Sequence, residues 1–173
     1  MSKRTITVIP GDGIGPSIID SALKILDKAG CNFEYEFADA GLTALEKHGE
    51  LVPQRTLDLI EKNRITLKGP LTTPVGEGFT SINVSLRKKF SLYANVRPVI
   101  SFKGTQARYE NIDIITVREN TEGMYSGLGQ KISDDGQTAE ATSIITRQGA
   151  EQITTFAYEL ARKENRKKVT IVH

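Results

Sequence analysis

Short β-branched runs alternate with stretches of helical period from the first residues of this chain, and that alternation restricts the fold more than any other feature. Thr5-Ile6-Thr7-Val8-Ile9 is a strand-like run closed by Pro10 and a glycine-rich turn. Pro16 suits the first turn of a helix, where its missing N–H costs nothing. Ile19, Ala22, Leu23 and Leu26 then recur at helical spacing, and Gly30 ends the segment. Phe33-Glu34-Tyr35-Glu36-Phe37 alternates with period two, as a strand with one wet face does. A second helix is expected from Pro53, carrying Leu57 and Ile60, and a short strand from Ile65 to Leu67. Ile112 to Val117 is the clearest buried strand. Thr142 to Thr146 and Val169 to Val172 read as two more, with a helix between them that aligns Ile153, Phe156, Ala157, Leu160 and Ala161. This order predicts an α/β architecture with substantial parallel sheet. The polar stretch from Gly127 to Ala141 is expected to form an arm or a hairpin.

Composition narrows the function classes. The 173 residues are 38% hydrophobic and 25% charged, enough apolar content for one domain or two small lobes. Lys and Arg total 23 against 21 Asp and Glu, a net charge of +2. Nucleic-acid binders carry a more concentrated excess, so no nucleic-acid partner is expected. The cluster from Arg162 to Lys168 reads as a solvated helix end. A single cysteine, Cys31, excludes an internal disulfide and a Cys-based zinc site. No stretch approaches the roughly 20 apolar residues of a membrane span. These features predict a soluble, cytoplasmic protein without a membrane partner. Because Val169 to Val172 reads as a core strand one residue before the end, the chain is expected to be part of a longer protein.

Gly11-Asp12-Gly13-Ile14-Gly15-Pro16 stands where a dinucleotide fingerprint would, between the first strand and the first helix. The fingerprint needs Gly-x-Gly-x-x-Gly, and here the third glycine comes one residue early. A tight turn that needs unusual backbone angles is the competing explanation.

The richer chemistry lies between residues 69 and 125. Ser81-Ile82-Asn83-Val84-Ser85-Leu86-Arg87 has helical character, with Ser81 at or near the N-cap and Asn83 and Arg87 one turn apart on the same side. Leu86 and Phe90 suit the buried side. A hydroxyl, a carboxamide and a guanidinium near a helix start suit a carboxylate or phosphate. Arg97, in Tyr93-Ala94-Asn95-Val96-Arg97-Pro98, and Arg118, directly after the best strand, add two more guanidiniums. Each arginine alone could simply pair with a surface acid. Together they suit a small substrate with several carboxylates, since guanidinium donates two parallel hydrogen bonds to a carboxylate. Tyr125 could act as a general acid if nearby cations lower its pKa, or could simply pack. His48 is assigned no role.

These segments resemble the β-decarboxylating dehydrogenases, the family of isocitrate, isopropylmalate, homoisocitrate and tartrate dehydrogenases. The matching stretches are Ile9 to Pro16, Gly69-Pro70-Leu71-Thr72-Thr73-Pro74, Ser81 to Arg87, Tyr93 to Pro98, and Val117 to Gly123. Within the family, Ser-x-Asn-x-x-x-Arg is similar to isocitrate dehydrogenases, and Leu92 to Pro98 with Arg118 to Gly127 is most similar to the NAD type. The resemblance implies the isocitrate/isopropylmalate dehydrogenase fold, not a classical Rossmann domain, with two lobes and a shared sheet that this chain leaves incomplete. Residues 1–95 would belong to the discontinuous large domain and 96–173 to the small one, with a clasp-like arm near 123–146.

The resemblance also implies roles. Ser81 and Asn83 would hold the γ-carboxylate of isocitrate, and Arg87, Arg97 and Arg118 the other carboxylates. Tyr125 would be the catalytic acid that protonates the enol carbon after carbon dioxide leaves. Leu71, Thr72, Thr73 and Asn83 would bind the cofactor, NAD or its phosphorylated form NADP. A Mg2+ or Mn2+ ion would be required, its ligands and the catalytic lysine falling after residue 173, so no metal ligand is expected here. The implied reaction is oxidative decarboxylation of isocitrate to 2-oxoglutarate by a homodimer or higher homo-oligomer, with the 173-residue chain inactive alone. The rival readings are a homoisocitrate or isopropylmalate dehydrogenase, a non-catalytic regulatory subunit that binds citrate-like effectors, and a simple anion-binding module.

Overall fold

The Thr5–Ile9 run becomes the middle strand of a parallel sheet. A computed structural model describes residues 3–72, 81–123, 126 and 128–172, in two units, Met1–Ser85 and Leu86–His173. In the first, β1 (Arg4–Ile9) lies between β2 (Phe33–Phe37) and β3 (Thr66–Lys68), both parallel to it. A central strand covered on both faces must be apolar along its length, and Ile6, Thr7, Val8 and Ile9 are all buried. Ile6 and Val8 pack with Ile19 and Leu23 of α1 (Gly15–Lys28), together with Phe33, Tyr35 and Leu67. Ile9 packs with Ala38, Ala40, and Leu59 and Ile60 of α3 (Gln54–Asn63). Thr7 is tolerated in this interior because its hydroxyl donates to the Leu59 carbonyl at 2.9 Å and accepts from Asn63 at 3.0 Å.

A short helix, α2 (Leu42–His48), has no counterpart in the sequence expectation. It starts after Gly41, at φ +84°, and ends at Gly49, at φ +75°. Neither end carries a local side-chain cap that a reader of the sequence would notice. Its last turn is held by Asp39, which pairs with Lys47 and His48 at 3.1 Å each.

The second unit is built on an antiparallel ribbon of β4 (Ala94–Ile100) and β5 (Asp113–Glu119). The expected strand from Ile112 to Val117 is thus present but pairs antiparallel, and its partner covers a segment whose strand character Pro98 concealed. Proline lacks a ladder donor and is admitted mainly where a strand has an open edge. Helix α5 (Arg147–Lys163) packs on β5, and Tyr93 meets Phe156 edge-to-face at 6.0 Å. Its N-cap Thr146 accepts from the Gly149 amide at 3.0 Å. Past its end, Arg166 donates to the Asp113 carboxylate at 2.7 Å.

The polar stretch does form a hairpin, of β6 (Lys131–Ile132) and β7 (Ala139–Glu140). Two expected strands do not appear. Thr142 to Thr146 makes only a single bridge, Ile144 to Gly123, because Thr146 is used as a helix cap. Val169 to Val172 finds no strand partner among the described residues, and Ile171 and Val172 are exposed.

The glycine-rich turn is explained by crowding. A Cβ on Gly11 would run into the Pro70 carbonyl, and one on Gly15 or Gly69 into the Pro10 carbonyl. Gly13 has positive φ but open space around it. Gly13→Ala is therefore expected to lose only about 1–2 kcal/mol of left-handed strain. Gly11→Ala adds a backbone clash and should lose more than about 3 kcal/mol. Urea midpoints of the two variants, measured side by side, check this order.

Candidate active site

Helix α4 (Ile82–Lys89) presents three of the expected groups. Ser81 precedes it, and the Ser81 carbonyl accepts the first intrahelical hydrogen bond, from Ser85, at 2.9 Å. Ser81 is therefore the N-cap residue. Ile82 and Leu86 are buried one turn apart and fix which side of the helix faces inward. Asn83 and Arg87, also one turn apart, share an adjoining side and are half-buried.

The ribbon holds the other two guanidiniums. In its register Asn95 faces Arg118 and Arg97 faces Thr116. Residues opposite one another, or two apart on one strand, share a face of a sheet. Asn95, Arg97, Thr116 and Arg118 therefore lie on one side, with the two arginines diagonal neighbours about 7–8 Å apart at the backbone. Arg97 donates its Nε–H to Asn95 Oδ1 at 3.0 Å. Asn95, which sequence reasoning passed over, thus orients that guanidinium. Arg118 was expected off the carboxyl end of a strand in an open parallel sheet. It is instead the next-to-last residue of antiparallel β5, so a ribbon face carries it.

The opposite end of the Arg118 segment is tied down by acids. Glu119 accepts from the amides of Thr121 and Glu122 and from the Thr121 hydroxyl, at 2.6–3.0 Å. Burial works to raise the Glu119 pKa, but these hydrogen bonds outweigh it and hold the carboxyl below its usual range. Glu122 accepts from the amide and hydroxyl of Thr146 at 2.9 and 2.6 Å, which sets it at the start of α5. Lys88 donates to the Ser126 carbonyl at 2.8 Å. Tyr125 and Thr73, the expected acid and one cofactor residue, lie outside the described residues.

Leu71 and Thr72, the other expected cofactor residues after β3, lie on a loop held by one buried acid. Asp12 is only 7% exposed. Its Oδ2 accepts from the Leu42 amide at 3.0 Å and the Thr72 amide at 2.8 Å, and its Oδ1 from the amide and hydroxyl of Thr43 at 2.9 and 3.0 Å. Its own amide donates to the Pro70 carbonyl at 2.8 Å. Leu71 packs against the Ile9, Ala38 and Ala40 cluster, whereas Thr72 is exposed. Burial pushes the Asp12 pKa up, but the hydrogen bonds of Thr43, Thr72 and Leu42 prevail and keep the carboxyl below the ordinary aspartate value. An ionised carboxylate at the heart of the turn would repel a pyrophosphate. The glycines serve a tight turn, not a classical dinucleotide loop.

A groove of about 460 Å³ in the β4–β5 connection, among Ile100, Phe102, Lys103, Tyr109 and Glu110, includes none of the expected site residues. Among the described residues, no group of three His, Cys, Asp or Glu side chains comes together to hold a metal ion. None of the described helices is long and apolar enough to cross a membrane.

The sequence model of the isocitrate/isopropylmalate dehydrogenase family matches residues 5–173, and the chain belongs to that family. It is 42% identical over 170 residues to the probable isocitrate dehydrogenase [NAD] subunit alpha, mitochondrial, of Drosophila melanogaster, covering 98% of this chain and 45% of that protein. It is 45% identical to the isocitrate dehydrogenase [NADP] of Thermus thermophilus, over 96% of this chain and 34% of that one. Among solved structures, the isocitrate dehydrogenase of Methylococcus capsulatus matches with a TM-score of 0.90 at 48% identity, over 98% of this chain and 51% of the other. The chain thus spans about a third to a half of the length of these relatives. The family fold anticipated from the motifs is present. The cytoplasmic expectation is corrected, because the alpha subunits from Drosophila melanogaster, Macaca fascicularis and Caenorhabditis elegans are named mitochondrial. That expectation rested on composition, which carries no address.

A carboxylate with a depressed pKa in the folded state binds its proton more readily when unfolded. The stability that Asp12 contributes is therefore complete above about pH 4, the ordinary aspartate range, and is lost as pH falls below it. Urea midpoints between pH 3 and 6 should decline on the acid side, and Asp12→Asn should flatten that decline.

Proposed function

We infer that this chain provides the isocitrate-binding half of an NAD-dependent isocitrate dehydrogenase, with NADP the alternative acceptor. The observation that carries the reading is the grouping of polar donors. Ser81, Asn83 and Arg87 lie together on α4, and Arg97 and Arg118 share one face of the ribbon. A substrate with three carboxylates needs several cationic donors and one polar edge. Three guanidiniums with a hydroxyl and a carboxamide meet that demand, whereas an isopropyl group would find no apolar partner in Ser81 or Asn83.

In this reading Ser81 and Asn83 donate hydrogen bonds to the γ-carboxylate. Arg87, Arg97 and Arg118 bind the other two carboxylates and steady the negative charge that builds up as carbon dioxide departs. The Tyr125 phenol gives its proton to the enol carbon, completing 2-oxoglutarate. Leu71, Thr72, Thr73 and Asn83 line the nicotinamide side, and the dinucleotide, when bound, supplies the acceptor for the substrate's hydride. The donor set is consistent with that group: the loop before Thr73 is fixed by Asp12, and the Thr72 side chain is exposed. A divalent ion belongs to the reading as well. The described residues offer it no cluster of ligands. The complete protein is proposed to act as a homodimer or higher homo-oligomer.

Ser81→Glu, made in the complete protein, sets an anion against the γ-carboxylate. Setting like charges against one another costs several kcal/mol, about 3 or more, so kcat/KM for isocitrate should fall at least a hundredfold. Steady-state kinetics with isocitrate, homoisocitrate and isopropylmalate check this. Unchanged isocitrate turnover in the variant counts against the assignment.

A further inference from the structure

The Gly69–Thr72 loop is gripped from two directions by a single residue. The Asp12 amide donates to the Pro70 carbonyl at 2.8 Å, and Asp12 Oδ2 accepts from the Thr72 amide at 2.8 Å. The two hydrogen bonds bracket Leu71, whose side chain is packed on Ile9, Ala38 and Ala40. The same carboxylate is locked by the Leu42 and Thr43 amides and the Thr43 hydroxyl. Gly41 is required there, since a Cβ on it would collide with the Asp12 carboxylate. Among the described residues, the four hydrogen bonds this buried acid accepts all come from the protein's own donors, so it has no direct part in chemistry. Its effect runs through the loop.

We propose that Asp12 is a positioning residue for the dinucleotide: by bracketing Leu71 and fixing the Thr72 amide, it sets the loop against which the nicotinamide end is bound. The proposal rests on the reading above that Leu71 and Thr72 face the cofactor. Asp12→Asn replaces two carboxylate acceptor positions with an amide NH2, which cannot accept from a backbone N–H, and so frees either the Thr43 or the Leu42 and Thr72 side of the grip. Small misplacements of positioning groups carry large rate and binding effects, since geometry is set before the reaction begins.

The test uses the complete protein, with dinucleotide Kd by titration calorimetry and steady-state KM and kcat, well below the melting temperature of each variant. Asp12→Asn should raise Kd and KM for the dinucleotide about tenfold and leave KM for isocitrate within about twofold. Thr56→Ala is the control. It removes a buried hydroxyl that donates to the Asp39 carbonyl at 2.7 Å and leaves the hydrogen bonds of Asp12 untouched. It should lower Tm while leaving both KM values in place. Should Asp12→Asn fail to fold, Thr43→Val takes over, since it removes only the hydroxyl bond to Oδ1; a rise of about twofold or more in dinucleotide Kd is then expected. A purely structural Asp12 would lower Tm with dinucleotide Kd unchanged, and that result overturns the proposal. A wild-type protein that binds dinucleotide but does not turn over isocitrate overturns the functional reading only, and the Kd ratio still decides the role of Asp12. Absence of dinucleotide binding by the wild type overturns both.

Discussion

Placing an ionised carboxylate out of water is tolerated only where several donors surround it, and that requirement organises the first unit. The Asp12 side chain accepts four hydrogen bonds from two separate segments, the start of α2 and the loop after β3. Remove the charge and three pieces of chain lose their common reference: the turn after β1, the helix at Leu42 and the approach to Thr72. The glycines around it follow from the same constraint. Gly11, Gly15 and Gly69 let two loops approach within backbone contact, and Gly41 leaves room for the carboxylate itself.

The parallel core was legible in the sequence because its signals are local. A β-branched run at Thr5 to Ile9, Pro16 in the first helical turn and period-two alternation at Phe33 to Phe37 each announce their element without help from elsewhere. Helix α2 was not legible, because its first amides are satisfied by an acid thirty residues away in sequence. Strand β4 was hidden by Pro98, which is unusual inside a ladder and acceptable in a two-stranded ribbon. The strand expected at Thr142 to Thr146 failed for the reverse reason. Its β-branched letters are real, but Thr146 serves as a cap and leaves the segment a single bridge.

The candidate site shows the same division. Ser81, Asn83 and Arg87 could be placed together from helical spacing alone. The pairing of Arg97 with Arg118 could not, since it depends on a cross-strand register between segments some twenty residues apart. Asn95 and Asp12 were passed over because neither touches the substrate in the reading offered; each acts on a neighbour. The available hint for Asp12 was its sign: a negative residue in the middle of a glycine turn is a poor companion for a pyrophosphate.

Glu122 sits at the beginning of α5, and the Asp12 carboxylate at the beginning of α2. The positive end of a helix attracts whatever small anion the surroundings supply. In both places that attraction is already satisfied by the protein's own acid, contributed from a remote stretch of chain. Inorganic phosphate or sulfate, abundant in most compartments, would have to displace a tethered competitor to settle there. The chain is thereby shielded from occupation by simple salts at two points where its backbone would otherwise invite them.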